Sequence, residues 1–193
     1  VEVRLGAGVY VLEPGANQRA GGSGPELTIG PFELMEARKI IEPETAALAA
    51  TVITDEQLDG LDAIIDRMEE ENRLEIQGEN ADRQFHVGIA ASTGNSALVM
   101  VIDDLWHRRQ TDPFFFRLME KARSKGVKPV ADDHRRILAA LRKRDPAAAR
   151  TAMRDHLTRV IETLLKATET EAMERVQTEL AARRQRYIRT LNK

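Results

Sequence analysis

From Pro31 onward, apolar residues recur at intervals of three and four, broken at short distances by proline, glycine and asparagine. That periodicity marks amphipathic helices sharing one core. Pro31 suits a first helical turn, and Leu34, Ala37, Ile41, Ala46, Leu48 and Ala49 form an apolar stripe behind it. Pro43 is expected to kink or break this helix. Thr54 and Gln57 form a capping box ahead of Leu58, Leu61, Ile64, Ile65 and Met68. A third helix is expected from about Glu79 to Thr93, stopped by Gly94-Asn95, and a fourth from near Ser96 through Leu98, Val101, Ile102, Leu105 and Trp106. Asp112-Pro113 opens a fifth that Gly126 ends, and Pro129 opens a sixth that runs to Arg144. Asp145-Pro146 starts a seventh that reaches about Leu191. Connections this short make consecutive helices antiparallel. The expected fold is therefore all-α, an antiparallel bundle of about six or seven helices.

The first 30 residues differ. Seven of the 12 glycines lie there. Over 1–12, Val1, Val3 and Leu5 alternate with Glu2 and Arg4, Gly6-Ala7-Gly8 supplies a turn, and Val9, Tyr10 and Val11 follow. This is a β-hairpin pattern, and two such strands alone are barely stable in water. Residues 13–30 read as a linker, with Pro14, Gly15, Gly21, Gly22, Ser23, Gly24, Pro25 and Gly30 breaking any periodicity. The domain boundary is expected at Pro31. The start at Val1 rather than Met points to a fragment of something longer.

With no cysteine, disulfides and cysteine-based metal sites or nucleophiles are excluded. No signal peptide and no apolar run near a membrane span's ~20 residues is present, so the expected location is cytoplasmic. A net charge of −2 argues against nucleic acid as the partner of this segment itself.

The four histidines are the most informative residues. Asp82 and His86 stand four apart on one expected helix, so both project from the same face. His134 lies eleven residues before Asp145 and His156 eleven after it. If Asp145 marks the turn of a helical hairpin, both sit roughly 16 Å from it, at 1.5 Å per residue. Two imidazoles at one level of a bundle can share a metal, and a third helix would bring Asp82 and His86. Three nitrogens and one oxygen suit Zn²⁺, Ni²⁺, Mn²⁺ or Fe²⁺ better than Ca²⁺ or Mg²⁺. The bland alternative is a set of hydrogen-bonded or surface histidines and an ordinary helix pair. His107 lacks a partner pattern and reads as structural, and Trp106 reads as core packing.

Taken in order, several segments resemble the effector-binding FCD domain of FadR-type regulators in the GntR family of bacterial transcription factors. Residues 31–50 look like that domain's first helix. Asp82-Arg-Gln-Phe-His86-Val-Gly-Ile-Ala looks like its metal-binding helix, and Thr93-Gly94-Asn95 before an apolar helix fits the next step. Asp133-His134-Arg-Arg-Ile-Leu-Ala-Ala-Leu and Met153-Arg-Asp-His156-Leu look like the last two ligand helices. The match covers about 31–168. It implies that Asp82, His86, His134 and His156 hold a divalent transition metal, zinc foremost, with Ni, Mn or Fe as alternatives. It also implies that 1–12 is the wing of a mostly absent winged-helix DNA-binding domain. The first helix looks most like regulators of sugar-acid catabolism, though regulators of lactate and other small carboxylates share much of the pattern.

The resemblance implies a homodimeric, ligand-responsive regulator, taken as a repressor, that meets operator DNA through the absent domain. Its effector would be a small carboxylate, probing a metal position left open by four protein ligands. A buried carboxylate needs charge-assisted partners. Arg38, Arg109 and Asn95 are the candidate effector contacts, against an alternative of surface ion pairs for the two arginines. The tail, 169–193, made basic by Arg183, Arg184, Arg186, Arg189 and Lys193, reads as an extended solvated helix or a disordered end, with a DNA or dimer contact as the alternative. Two competing classes remain. One is a metalloenzyme acting on a small carboxylate, which would use the open metal position to activate water. No His-Glu-x-x-His or similar general-base motif is present. The other is a helical dimerisation module without ligand.

Overall fold

Helix α1 spans Pro31–Val52 in the computed structural model of the chain, which describes residues 2–4, 8–10, 29–74, 76, 79–124 and 129–191. Its first turn is fixed by the Glu33 carboxylate, which accepts the Gly30 backbone N–H at 2.8 Å. The helix runs on through Pro43 instead of breaking there. Proline removes one helical hydrogen bond, but α1 makes the most extensive helix–helix contact of the molecule, against the last helix, and Pro43 is buried. Packing on both sides of the missing bond holds the helix together.

The buried face of α1 also differs from the expected stripe. Leu48 points outward and is 43% exposed. The inward face is Leu34, Met35, Arg38, Glu42, Thr45, Ala46, Ala49 and Ala50. A salt-bridged pair, Arg38 and Glu42, lies on this inward face beside the Ala37 and Ile41 of the expected stripe.

Helix α2, Asp55–Arg73, starts with the expected reciprocal cap: Thr54 Oγ1 accepts from Gln57 N at 3.2 Å, and Gln57 Oε1 accepts from Thr54 N at 2.9 Å. Leu58, Leu61, Ile65 and Met68 form its buried side. Helix α3, Asn80–Ser92, ends at Gly94, whose φ of +70° needs glycine. Asn95 then caps α4, Ser96–Thr111, and Asp112 caps α5, Pro113–Ser124, through the Phe115 N–H at 2.7 Å. Gly126 lies outside the described residues.

Helix α6, Ala131–Arg142, is shorter than expected at both ends. Val130 is extended, and the Pro129 carbonyl accepts from the Asn72 side chain at 2.9 Å. At the other end Arg144 turns left-handed, with φ +54°, and Asp145 Oδ1 accepts from Ala148 N at 3.0 Å to start α7, Pro146–Leu191. Its 46 residues extend roughly 69 Å at 1.5 Å per residue. Ala149, Met153, Leu157 and Leu164 are buried in the bundle, whereas every described side chain over 171–185 is exposed. The described part of the tail is thus helical to Leu191, with its side chains over 171–185 exposed.

Among the described residues, α1, α2, α3, α5, α6 and α7 share a core that includes Met35, Ile65, Phe85, Ile89, Phe115, Ile137, Leu141 and Leu157, while Ile102 and Trp106 of α4 form a second, smaller cluster with Ala90. Helices α1, α3, α6 and α7 converge, which is what brings distant polar residues together. Among the described residues no helix is long and apolar enough to cross a membrane. Ahead of the bundle, Glu2–Arg4 (β1) and Gly8–Tyr10 (β2) pair antiparallel with Val3 opposite Val9. The linker expected over 13–30 lies outside the described residues up to 28.

Candidate metal centre

The hairpin of α6 and α7 sets His134 and His156 level, with ring centroids 4.6 Å apart. Helix α3 inserts Asp82 and His86 from the side, placing the His86 ring 5.7 Å from His134 and 5.2 Å from His156. All four side chains are buried, and one ligand-capable atom from each lies within 4.8 Å of the other three. Phe85 closes the cluster edge-on to His134, at 5.0 Å.

His86 and His134 are held from behind by hydrogen bonds, and His156 faces a carboxylate beyond hydrogen-bond distance. His86 Nδ1 meets the Glu42 carboxylate of α1. His134 Nδ1 donates to the Val130 carbonyl at 2.9 Å, and His156 Nδ1 faces Asp133 Oδ2 at 3.7 Å. A carbonyl or carboxylate can only accept, so the nitrogen facing it carries the proton. The other nitrogens of His86 and His134 then face Asp82 Oδ1, at 3.4 and 3.0 Å. Asp82 also can only accept. Either both rings are imidazolium, crowded together in a dry site, or a cation lies between neutral Nε2 atoms and the carboxylate. His86 Nε2 is buried with no hydrogen-bond partner. The donor set fits a divalent transition metal, and the acceptors behind the rings are the usual supports of metal-binding histidines.

The electrostatics differ from residue to residue: burial pushes His86 down, but Glu42 and Asp82 outweigh it and raise the ring, favouring its charged form when no cation is bound. Burial alone would push the Asp82 carboxyl up, but hydrogen bonds and charge from His134 and His86 hold it well below its ordinary value. Burial also opposes ionisation of Glu42, yet Arg38 and His86 bring it down to about 2. Burial pushes His156 down to about 4 against the pull of Asp133, which keeps it neutral and able to ligate.

The expected effector contacts separate. Arg38 is 1% exposed; its Nε donates to Glu42 at 2.5 Å and its guanidinium lies 4.1 Å over Trp106. Arg109 is also buried, lies 4.5 Å over the same ring, and reaches Asp82 at 3.9 Å and Glu79 at 2.7 Å. Asn95 is not brought to this site: it is exposed at the far end of α3, its Oδ1 capping α4. A cavity of about 70 Å³ opens beside the cluster, lined by Asp82, Arg109, Asp133 and His156 among others. Glu42, Glu79, Arg123 and Asp133 were not anticipated. Arg38 and Glu42 at i, i+4 inside an apolar helix were a usable signal for Glu42; nothing local marks Glu79.

The site is thus a buried three-histidine, one-aspartate cluster inside a helical bundle, beside a small cavity. The FCD domain model matches residues 33–159, and the chain belongs to that family of GntR-type proteins. It is similar to the Exu regulon transcriptional regulator of Escherichia coli K12, 38% identical over 159 residues, covering 81% of this chain and 61% of that protein. It is also similar to the Uxu operon transcriptional regulator of the same organism, 37% identical over 173 residues, covering 86% of this chain and 66% of that one. These relatives are named as transcriptional regulators, not enzymes. This chain spans about three fifths of the first relative's length. Among solved structures, Streptococcus agalactiae GntR aligns with TM-score 0.53 and 27% identity over 66% of this chain and 56% of that one. E. coli McbR/YncC aligns with TM-score 0.58 over 72% and 66% of the two chains; at 20% identity it speaks to the fold alone.

Proposed function

We propose that residues 31–168 form the metal- and effector-binding domain of a ligand-responsive bacterial transcriptional regulator. Asp82, His86, His134 and His156 hold one divalent ion, with zinc the first choice and Ni, Mn or Fe as alternatives. When bound, that ion supplies a Lewis-acidic position open to an oxygen ligand. The supporting observation is the pair of histidines flanked by acceptors on both ring nitrogens, an arrangement that a cation between Nε2 and Asp82 satisfies.

The effector is a small carboxylate, of which a hexuronate is the favoured class because the relatives are named for the Exu and Uxu systems. Arg109 beside the cavity is its cationic contact. Arg38 acts from behind Trp106 and Glu42, not as a direct contact. The protein works as a cytoplasmic homodimer, β1 and β2 belong to a winged-helix operator-binding domain, and the 13–30 segment links the two. Effector binding alters operator affinity because the ligand binds the competent and incompetent arrangements unequally.

The test is a thermal-shift series on metal-loaded and chelated protein against hexuronates, aldonates and small hydroxy acids, with His134→Ala as control. A ligand that binds only the folded state raises Tm by mass action. A shift for one sugar acid, lost on chelation and in His134→Ala, is the expected result. No shift for any compound and no cost of chelation would leave a helical dimerisation module as the better reading.

A further inference from the structure

Two cavities meet at one ion pair. The cavity beside the metal cluster and a second of about 240 Å³, lined by Asn80, Gln110, Phe116, Glu120 and Arg123, share Glu79, Arg109 and Met119 as walls. Between them Glu79 sends one carboxylate oxygen to Arg109 Nη2 at 2.7 Å and the other to Arg123 Nη2 at 2.5 Å. Glu79 is 8% exposed, and its backbone sits left-handed at φ +46°, a region glutamate rarely enters. Such conformations persist where surrounding contacts hold them, and they concentrate at binding and switching sites.

We propose that Arg109 and Arg123 form a carboxylate-binding subsite that the chain's own Glu79 fills in the effector-free state, and that an acidic effector binds by replacing Glu79. This rests on the small-carboxylate reading above and adds how the site is kept shut. The exchange conserves charge. The guanidinium groups Arg38, Arg109 and Arg123 face the carboxylates Glu42, Asp82 and Glu79, and Arg123 also feels the charge of Glu71. Of these carboxylates, Glu42 is fixed between Arg38 and His86, and Asp82 belongs to the histidine cluster. Glu79 alone contacts neither the cluster nor α1, and it stands at the start of α3, where a change of backbone releases strain. An incoming carboxylate takes over both arginines in the same two-oxygen geometry. Arg109 Nε, buried and without a hydrogen-bond partner, is a further donor for it. Withdrawal of Glu79 also removes one of the three side chains that separate the two cavities, leaving Arg109 and Met119, so the sugar body of a hexuronate gains room that the smaller cavity lacks. Because α3 carries Asp82 and His86 one and two turns further on, effector exchange at Glu79 acts on the helix that presents two of the four candidate ligands.

The experiment uses the whole chain, zinc-loaded and chelated, as wild type, Glu79→Gln and Glu79→Ala. The first probe is sodium acetate, compared with sodium chloride at equal pH and ionic strength. Acetate is expected to raise the Tm of Glu79→Ala by several degrees more than chloride does, and to leave wild type unmoved, because only the variant has the subsite open. The second probe is D-glucuronate by calorimetry: Glu79→Gln is expected to bind at least tenfold more tightly than wild type. Glu79→Gln preserves side-chain volume, so its readout stands if Glu79→Ala folds poorly. Acetate rescue without glucuronate binding to any form would sink the sugar-acid reading and leave the subsite standing. Equal response of wild type and variant to acetate, or weaker glucuronate binding in Glu79→Gln, would overturn the subsite: Glu79 would then be a structural tie or itself a contact to the sugar.

Discussion

Replacing Glu42 by leucine separates what this buried carboxylate does for the fold from what it does for the metal. Glu42 is 1% exposed and has two partners, the Arg38 guanidinium and His86 Nδ1. Leucine fills similar space but strands Arg38, also 1% exposed, as a buried cation beside the Trp106 ring and Met35 Sδ, with no carboxylate hydrogen bond left. Breaking a buried pair from one side costs about 3–5 kcal/mol. The stability of a domain this size is about 5–15 kcal/mol, so the variant folds. At about 2–4 °C per kcal/mol, Tm falls by roughly 6–20 °C. Removing both charges, with Arg38→Met added, recovers most of that loss, since paired apolar replacements of buried ion pairs are commonly near neutral. The metal responds differently. His86 Nδ1 has lost its acceptor in both variants, and loss of such a support costs about 10–100-fold in affinity. Urea unfolding of the chelated proteins reads the first quantity; competition with a chromophoric zinc chelator reads the second. If the double variant regains wild-type zinc affinity along with stability, Glu42 orients nothing and His86 is not held for a metal. A loss below about 1 kcal/mol in the single variant would refute the buried-pair energetics.

Chelation and His134→Ala should lower Tm together and not add, because each removes the same bound ion; additive losses would place the ion elsewhere. Asp133→Asn should weaken zinc binding about tenfold through the orientation of His156, measured by the same chelator competition, with unchanged affinity counting against the ligand role of His156. The chelated protein should lose stability as pH falls from 6.5 towards 4, by up to about 3 kcal/mol: the unfolded chain protonates His156 near 6.5, whereas the folded chain resists until about 4. His86 is raised in the fold, because Glu42 and Asp82 outweigh its burial; its contribution is already complete below 6.5 and is lost only as pH rises through its folded value. The acid window down to about pH 4.5 therefore belongs to His156, and a flat urea midpoint across it would refute the assignment. Thr54→Ala should cost about 1 kcal/mol by loss of the α2 cap, seen as a lower urea midpoint with unchanged zinc affinity.

The boundaries of the helices were legible because capping is local chemistry. Thr54 with Gln57, Gly94-Asn95 and Asp145-Pro146 act within four residues, so their pattern survives in the linear sequence. The level pairing of His134 and His156 was legible for a related reason: a tight hairpin converts equal sequence distance from its turn into equal height. Errors arose where a tertiary contact overrides a local rule. Pro43 does not stop α1 because α7 packs along it, and Leu48 faces out because Thr45, Ala46, Ala49 and Ala50 form the inward face of that turn. A hydrophobic periodicity counts Arg38 and Glu42 as surface, whereas each is tolerable inside only because the other, Trp106 and His86 are there. Glu79 was beyond reach for a stronger reason. Its partners Arg109 and Arg123 lie 30 and 44 residues away on two other helices, and its left-handed backbone carries no glycine or asparagine to announce it. The four clustered residues, candidate metal ligands, can be read from spacing because they project together from regular helices. Charges that match one another across the bundle have no such register, and on the proposed reading they are the ones that select an acidic ligand.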